Sequence, residues 1–154
     1  MSTNYWLMKS EPESFSIHDL KKSKTTEWDG VRNYQARNFM MNMKKGDLIL
    51  FYHSNAKPPG IAGIAEIKRD AKPDITAFNP KSDYFDPKAT KENPRWFCPK
   101  VGFKKIAKTF VSISDLKSNK KLKDLKTIQK GSRLSVHPVT KSEFIEIKKM
   151  MGIN

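Results

Sequence analysis

The eleven residues from Trp28 to Asn38 combine two large aromatic rings with several hydrogen-bonding side chains. Trp28 and Tyr34 provide ring faces on which a flat ligand can stack. The asparagine, glutamine and arginine side chains of the same segment can form hydrogen bonds to the edges of that ligand. Nucleobases are flat, polar ligands that proteins bind through this combination of groups. The segment is therefore a candidate base-binding pocket.

The same residues also fit an ordinary amphipathic helix. Asp29-Gly30 is a turn signal. After it, residues at spacings of three and four follow the pattern of an amphipathic helix: Arg32, Ala36, Phe39, Met40 and Met43. In this interpretation Trp28 anchors the helix in the core, and the arginine and asparagine side chains face water. Short motifs are weak evidence for a site, and composition alone favours this second interpretation.

Basic residues are concentrated in one part of a chain of 154 residues whose formal net charge is +14. Residues 100–133 contain eleven lysines and arginines but only Asp115 and Asp124, which is 11 minus 2, an excess of nine positive charges. Such a field attracts polyanions, of which nucleic acid is the commonest inside cells, although a lysine-rich surface can also serve solubility alone. The residues expected to contact a nucleic-acid backbone are Lys104, Lys105, Lys120, Lys121 and Lys123.

Several classes of chemistry lack their sequence signals. Cys98 is the only cysteine, so a disulfide within the chain and a CxxC metal site are excluded. The three histidines lie far apart in sequence, and there is no glycine-rich phosphate loop. No secretory signal or membrane-spanning segment is recognisable. We therefore expect a soluble, intracellular protein, cytoplasmic in a bacterium, with no metal, no cofactor and no membrane partner.

Hydrophobic runs and helix-start signals predict a small curved sheet or barrel with helices packed around it. The predicted strands cover residues 5–8, 48–52, 61–67, 96–106 and 134–136. Helices are predicted after Ser16, Ser112 and Thr140, each followed three residues later by an acidic residue, and from the Trp28 segment to about Met43. Residues 70–95 are rich in proline, aspartate, asparagine and lysine and are expected to form a long excursion or flap.

Seven segments together resemble the EVE-domain family, whose match covers nearly the whole chain. The Trp28–Asn38 segment is the most specific of them, since it matches the family over eleven nearly contiguous residues. The matching segments are residues 5–12, 28–38, 46–47 with 51–54, 60–63, 84–87, 94–96 and 133–139.

This resemblance implies an α+β, PUA-like fold, an open β-barrel of about five to six strands flanked by short helices. Residues 1–154 would form a single EVE domain, similar in its order of elements to YTH domains, which hold a methylated adenine in an aromatic cage. EVE domains are thought to bind modified bases in DNA or RNA. The residues that would form such a pocket here are Ser10, Trp28, Asn33, Tyr34, Arg37, His53, Ser54 and Trp96.

The chain departs from the family pattern at two positions. Pro99 and Lys100 occupy a stretch where the family has an alternating strand with an acidic residue. Proline cannot donate a hydrogen bond to a sheet, so this strand is expected to bulge or to lie at an edge. Phe144 stands where tryptophan is common and is expected to be a core substitution.

The sequence therefore predicts a monomeric, non-enzymatic module that binds DNA or RNA and recognises a modified base between Trp28 and Trp96. One alternative is an enzyme of the PUA-like superfamily that acts on a modified base or a small amide and uses Arg37, His53 and either Asp83 or Asp86. Another is an adaptor that binds a small molecule or a protein. The identity of the base and the choice between DNA and RNA stay open at this point.

Overall fold

A computed structural model describes residues 3–153 and contains one six-stranded mixed sheet. The strand order is β2-β5-β4-β3-β1-β6, in which β1 and β3 are parallel and all other neighbours are antiparallel. The strands are β1 (Tyr5–Ser10), β2 (Thr25–Glu27), β3 (Leu48–His53), β4 (Gly60–Pro73), β5 (Phe97–Ser112) and β6 (Val136–Val139). The helices described in this part of the chain are α1 (Ile17–Ser23), α2 (Tyr34–Asn42), α3 (Ile113–Ser118) and α4 (Lys141–Met150), with 3₁₀ turns at Ile75–Phe78, Lys120–Leu122 and Lys126–Ile128.

All three helix starts predicted from serine or threonine are confirmed. Ser16, Ser112 and Thr140 each accept a hydrogen bond from the backbone N–H three residues later, and the acidic side chain at that position accepts one in return. These reciprocal bonds satisfy N–H groups that have no acceptor within the helix. Helix α2 begins differently, because Asn33 caps it alone by accepting from the N–H of Ala36 at 2.9 Å.

Several strands differ from the sequence prediction: β4 and β5 each run six residues beyond their predicted ends at 67 and 106. Strand β2 was not predicted, since three residues carry too short a pattern to be recognised. The last strand is predicted at 134–136, before Pro138, but β6 spans Val136–Val139 and includes that proline. β6 is an edge strand whose described partner is β1, and a proline is tolerated where its missing N–H is not needed for the ladder.

The irregularity expected at Pro99 is present. The register between β4 and β5 shifts in this region: Arg69 lies opposite Lys100, and Lys72 lies opposite Cys98. Three steps along β4 therefore face two along β5, as in a β-bulge. The carbonyl of Pro99 still accepts a hydrogen bond from the N–H of Trp28 at 3.0 Å, so the bulge helps to position the segment that follows β2.

The sheet has an apolar core on each face, because successive side chains of a strand point to opposite sides. Trp6 and Met8 of β1 pack with α1 and α2 on one face. Leu7 packs with α3 and α4 on the other, where Phe144 lies 4.7 Å from the ring of Tyr5. Phe144 is thus the core substitution expected from the sequence.

The helices of residues 3–153 include none that is long and apolar enough to span a membrane.

Candidate functional site

A cleft of about 320 Å³ lies on the face covered by α1 and α2, where β1 ends and β2 continues into the Trp28 turn. Three aromatic side chains line it: Phe15, Trp28 and Tyr84. Polar side chains also line it, among them Ser10, Glu27 and Asp29. The cleft therefore offers ring surfaces and hydrogen-bonding groups within one concavity.

Trp28 contributes both to this cleft and to the core. Its side chain is only 8% exposed, and its ring meets the ring of Phe51 edge-on at a centroid distance of 5.6 Å. Trp28 therefore anchors the core, as the helix interpretation predicts, and it also borders the cleft; its role in binding a base stays a prediction.

Tyr84 closes the cleft from the long segment between β4 and β5. Its ring packs directly on Gly30, where a Cβ atom would lie 2.6 Å from the ring. Gly30 also has a φ of +82°, a conformation that side-chain-bearing residues rarely adopt. Tyr84 was not predicted as a site residue, because nothing local connects a tyrosine in a polar loop with a turn 54 residues earlier. Two signals pointed towards it: the Asp29-Gly30 turn and the family match at 84–87.

Arg32 holds this part of the loop in place. Its guanidinium donates two hydrogen bonds to the carbonyl of Tyr84, at 2.7 and 3.1 Å, and lies 5.6 Å from the centre of the Tyr84 ring. The same guanidinium donates to the carboxylate of Asp74 at 3.0 Å. Tyr84 is thereby connected to the sheet through Arg32 and Asp74.

Asp74 is the buried anchor of the arrangement, with 1% of its surface exposed. Besides Arg32, it accepts hydrogen bonds from the N–H of Gly30 at 2.8 Å and from the N–H and hydroxyl of Thr76. Burial acts to raise the pKa of Asp74, but the hydrogen bonds from Thr76, Gly30 and Arg32 together outweigh it and hold the pKa below its usual value.

Two carboxylates give the cleft an acidic edge. Glu27 accepts two hydrogen bonds from Arg69, at 2.7 and 2.8 Å. These bonds are the main reason that the pKa of Glu27 is lowered. The pKa of Asp29 is raised, first by desolvation and then by the nearby negative charge of Asp74. Asp29 is exposed, lines the cleft and has no cationic side chain within 4 Å among the described residues, so its carboxylate can accept a hydrogen bond from a ligand.

Trp96 lies in a second aromatic cluster and is not among the residues that line the Trp28 cleft. It is 6% exposed, stacks on Tyr34 with ring centres 4.7 Å apart, and donates its indole N–H to Asp86 at 2.7 Å. Arg37 lies 4.7 Å from the centre of the Tyr34 ring and donates to the carbonyl of Arg95 at 2.8 Å. Trp28 and Trp96, expected to line one pocket, thus occupy different positions.

The other predicted pocket residues form structural contacts around the cleft. Ser10 lines it and donates its hydroxyl to the carbonyl of Phe15 at 2.6 Å. Ser54 donates its backbone N–H to the carbonyl of Ser10 at 3.0 Å. His53 accepts from the N–H of Ile17 at 3.1 Å, and its pKa is lowered by burial and by His18. Asn33 is occupied as the cap of α2.

Of the groups proposed for an enzymatic alternative, Arg37 and Asp86 both lie in the Trp96 cluster, whereas His53 is bound elsewhere, at the start of α1. Arg37 is bound to Arg95, Asp86 to Trp96, and His53 to the start of α1. Burial raises the pKa of the Cys98 thiol to about 12, which disfavours the reactive thiolate. Within residues 3–153, no group of three or more histidine, cysteine or acidic side chains is arranged to hold a metal ion.

The five lysines expected to contact a nucleic-acid backbone form two separate groups. Lys104 and Lys105 lie on β5, and the amine of Lys104 is 3.7 Å from Glu66. Lys120, Lys121 and Lys123 follow α3, and the amine of Lys121 is 3.8 Å from Glu146 of α4. None of the five is among the residues lining the Trp28 cleft.

Comparison with known proteins identifies relatives over most of the chain. Human thymocyte nuclear protein 1 is 44% identical over 161 residues, which cover 92% of this chain and 71% of the human protein. The crystal structure of human THYN1 protein in complex with 5-methylcytosine containing DNA is 41% identical, covers 99% of both chains and superposes with a TM-score of 0.91.

A more distant structure supports the fold assignment alone. The YTH domain of the Zygosaccharomyces rouxii MRB1 protein, solved in complex with N6-methyladenosine RNA, is 16% identical. It covers 99% of this chain and 89% of its own, with a TM-score of 0.55. Together with the six-stranded sheet and four described helices, these likenesses confirm the predicted α+β, PUA-like fold. The family model described as EVE domain matches residues 4–150, and the chain therefore belongs to the EVE domain family.

Proposed function

We propose that this chain is a non-enzymatic nucleic-acid-binding module that accepts a modified base in the cleft between Phe15, Trp28 and Tyr84. Residues 1–154 act in this proposal as a single, monomeric EVE domain inside the cell. The observation that carries it is the cleft itself, which combines three aromatic side chains with an acidic edge. The complex of human THYN1 protein with 5-methylcytosine containing DNA gives independent support from a relative.

Stacking on the aromatic side chains supplies the affinity for the base. A base drawn out of its strand presents two flat faces, and each stacking contact with an aromatic ring contributes about 1–3 kcal/mol. Tyr84 is the most accessible of the three rings, with 45% of its surface exposed, whereas Trp28 is nearly buried. Tyr84 is thus the ring with the most surface available for stacking on a base.

The acidic edge supplies selectivity. Carboxylates accept hydrogen bonds from the exocyclic amino group of cytosine, and adenine carries an amino group of the same kind. Thymine has a carbonyl oxygen at that position, which a carboxylate repels. Asp29 therefore favours bases that carry an amino group, and the apolar side chains of Phe15 and Val31 provide contact for a methyl substituent.

Changing Tyr84 to alanine tests the pocket directly. We expect Tyr84→Ala to weaken binding to a short DNA with one central 5-methylcytosine by about 1–3 kcal/mol, because a stacking surface is removed. Fluorescence anisotropy with single-stranded and duplex forms measures the effect, and circular dichroism verifies the fold.

The adjacent Phe85→Ala variant is the matched control. Phe85 is 39% exposed and lies outside the residues that line the cleft, so this variant should bind as the wild type does. If Tyr84→Ala and the wild-type protein bound the DNA with equal affinity, the base would not bind in this cleft. Recovery of the DNA with its base chemically altered, as measured by mass spectrometry, would contradict the non-enzymatic proposal.

Changing Asp29 to asparagine tests the selectivity. We expect Asp29→Asn to reduce the preference for 5-methylcytosine over thymine at the same position by about 1–3 kcal/mol, because an amide can donate to the thymine carbonyl as well as accept. Competition titrations with the two DNAs measure this ratio. Asp83→Asn removes the same charge from an exposed position outside the cleft lining and should leave the ratio unchanged. An unchanged ratio in Asp29→Asn would show that Asp29 does not contact the base.

A further inference from the structure

A second concavity, which we call the basic groove, lies beside the first turn of α2 and has a volume of about 500 Å³. Residues 126–133 form one wall and contain three cationic side chains and no acidic residue. These three, Lys126, Lys130 and Arg133, are exposed and line the groove. None of the three has a carboxylate within 4 Å among residues 3–153, so their charges are available to an external anion.

The opposite wall adds the amino end of a helix. Asn33 and Gln35 of the α2 start line the groove. Asn33 satisfies the N–H of Ala36, which leaves the N–H groups of Tyr34 and Gln35 without an acceptor inside the helix. Helix N-termini carry partial positive charge and bind anions, and α2 has no acidic residue in its first turn to occupy this end.

The groove wall is fixed by local contacts. The amide of Gln129 donates to the carbonyls of Lys123 at 2.7 Å and Leu125 at 3.0 Å. Gly131 follows with a φ of +79° and turns the chain back towards β6. The cations on either side of this glycine, Lys130 and Arg133, are thus presented by a folded turn.

The basic groove and the cleft are neighbours at two places in the chain. Val31 lines the cleft and Asn33, two residues later, lines the groove, so their Cα atoms are at most about 7 Å apart. On the other side, Lys9 of the cleft donates its N–H to the carbonyl of Ser135 at 2.9 Å, and Leu134 lines the groove. A strand with one base in the cleft would place its adjoining backbone near the groove.

We propose that the basic groove binds a backbone phosphate of the strand whose base occupies the cleft, an inference that rests on the proposed function. The charges of the two concavities favour different parts of the ligand. Asp29 repels a phosphate from the cleft, where the charge of Glu27 is already compensated by Arg69, whereas Lys126, Lys130 and Arg133 attract one to the groove. The groove positions the strand without reading its sequence, and the cleft reads the base.

The test compares two double variants that each remove two positive charges. Lys130→Gln with Arg133→Gln alters the groove, and Lys141→Gln with Lys149→Gln alters exposed positions on α4, which packs on the other face of the sheet. The probes are matched short DNAs with a central cytosine or 5-methylcytosine, and binding is followed by fluorescence anisotropy over a series of salt concentrations.

We expect the groove variant to bind both DNAs more weakly by the same factor, roughly tenfold at 0.1 M salt for each phosphate that the protein no longer neutralises. The slope of log affinity against log salt should fall by about 1–2, and the preference for the methylated DNA should be kept. The α4 variant should keep most of the wild-type slope.

Four results would overturn the inference. An unchanged slope in the groove variant, or equal losses of affinity in the two double variants, would show that the groove does not bind a phosphate. The proposed function would still stand if Tyr84→Ala weakens binding. A loss of affinity confined to the methylated DNA would show that the groove contacts the base instead of a phosphate. Failure of the wild-type protein to bind either DNA, or the corresponding RNAs, would overturn both proposals.

Discussion

Replacing Asp74 with alanine is expected to lower the free energy of unfolding by about 3–5 kcal/mol, because it leaves a partly buried guanidinium and two backbone N–H groups without their acceptor. Arg32 is held by this carboxylate, and Gly30 and Thr76 donate their N–H groups to it. Urea denaturation at neutral pH measures the change. Binding should weaken as well, since Arg32 connects Tyr84 to the sheet.

Asp70→Ala is the appropriate control for this experiment. Asp70 lies near the end of β4, its side chain is 52% exposed, the amine of Lys44 lies 3.7 Å from it, and the solvent-exposed N–H of Lys45 donates to it at 2.8 Å. Exposed ion pairs contribute about 0–1 kcal/mol, so the effect of removing this one should be small. If Asp74→Ala proved as stable as Asp70→Ala, Asp74 would not be the anchor that the hydrogen bonds indicate.

Acidification is expected to destabilise the protein through His137, which is fully buried beside β1. Its Nδ1 donates to the carbonyl of Pro138 at 2.9 Å, and its Nε2 accepts from the hydroxyl of Thr127 at 2.6 Å. Burial is the main reason that the pKa of His137 is lowered to about 4, and the positive charges of Lys9 and Lys126 lower it further. Both ring nitrogens of neutral His137 are therefore hydrogen-bonded.

The sign of this effect follows from proton binding. Between the unfolded pKa of 6.5 and the folded value of about 4, the unfolded chain binds the additional proton. Stability supplied by neutral His137 is thus complete above pH 6.5 and is lost as the pH falls to 4, by about 3 kcal/mol in total.

Denaturant unfolding at a series of pH values tests this expectation. His137→Gln can still donate to Pro138 and accept from Thr127, but it does not titrate, so its stability should change less between pH 6.5 and 4. Identical profiles for His137→Gln and wild-type protein would exclude His137 as the source of acid sensitivity.

Much of the fold could be predicted because its signals are local. The three helix starts predicted from a serine or threonine followed three residues later by an acidic side chain are all present. The same spacing at Ser10–Glu13 and Thr26–Asp29 starts no helix, so the apolar pattern that follows the cap is needed as well. Strand β3 is recognisable as a continuous apolar run. Strand β2 was missed because its pairing depends on β5, more than seventy residues away.

The site was predicted less completely, since its geometry depends on contacts distant in sequence. Trp28 was identified from its neighbours, but its near-complete burial depends on Phe51. For that reason Tyr84, and not Trp28, is the better residue to mutate: removing a buried tryptophan costs about 3–5 kcal/mol of stability and would confuse loss of fold with loss of binding. Local sequence patterns likewise could not predict that Trp96 stacks on Tyr34 or that Tyr84 packs on Gly30.

The attachment of the loop that carries Tyr84 has a consequence for variation in chain length. Its two ends are joined where the N–H of Asp74 donates to the carbonyl of Trp96 at 2.8 Å, and Asp86 is tied back to Ala77 and to Trp96. Residues 90–93 form an exposed turn between these fixed points.

Doubling the length of a closed loop lowers the free energy of unfolding by only about 0.6 kcal/mol. Insertions at residues 90–93 can therefore lengthen this exposed turn without moving Tyr84. An insertion between Asp74 and Tyr84 would instead change the distance from the anchor to the ring over the cleft. In the proposed function, the length of the chain between Asp74 and Tyr84 is fixed because it positions the ring over the bound base, whereas a longer turn at residues 90–93 could add contacts for the strand.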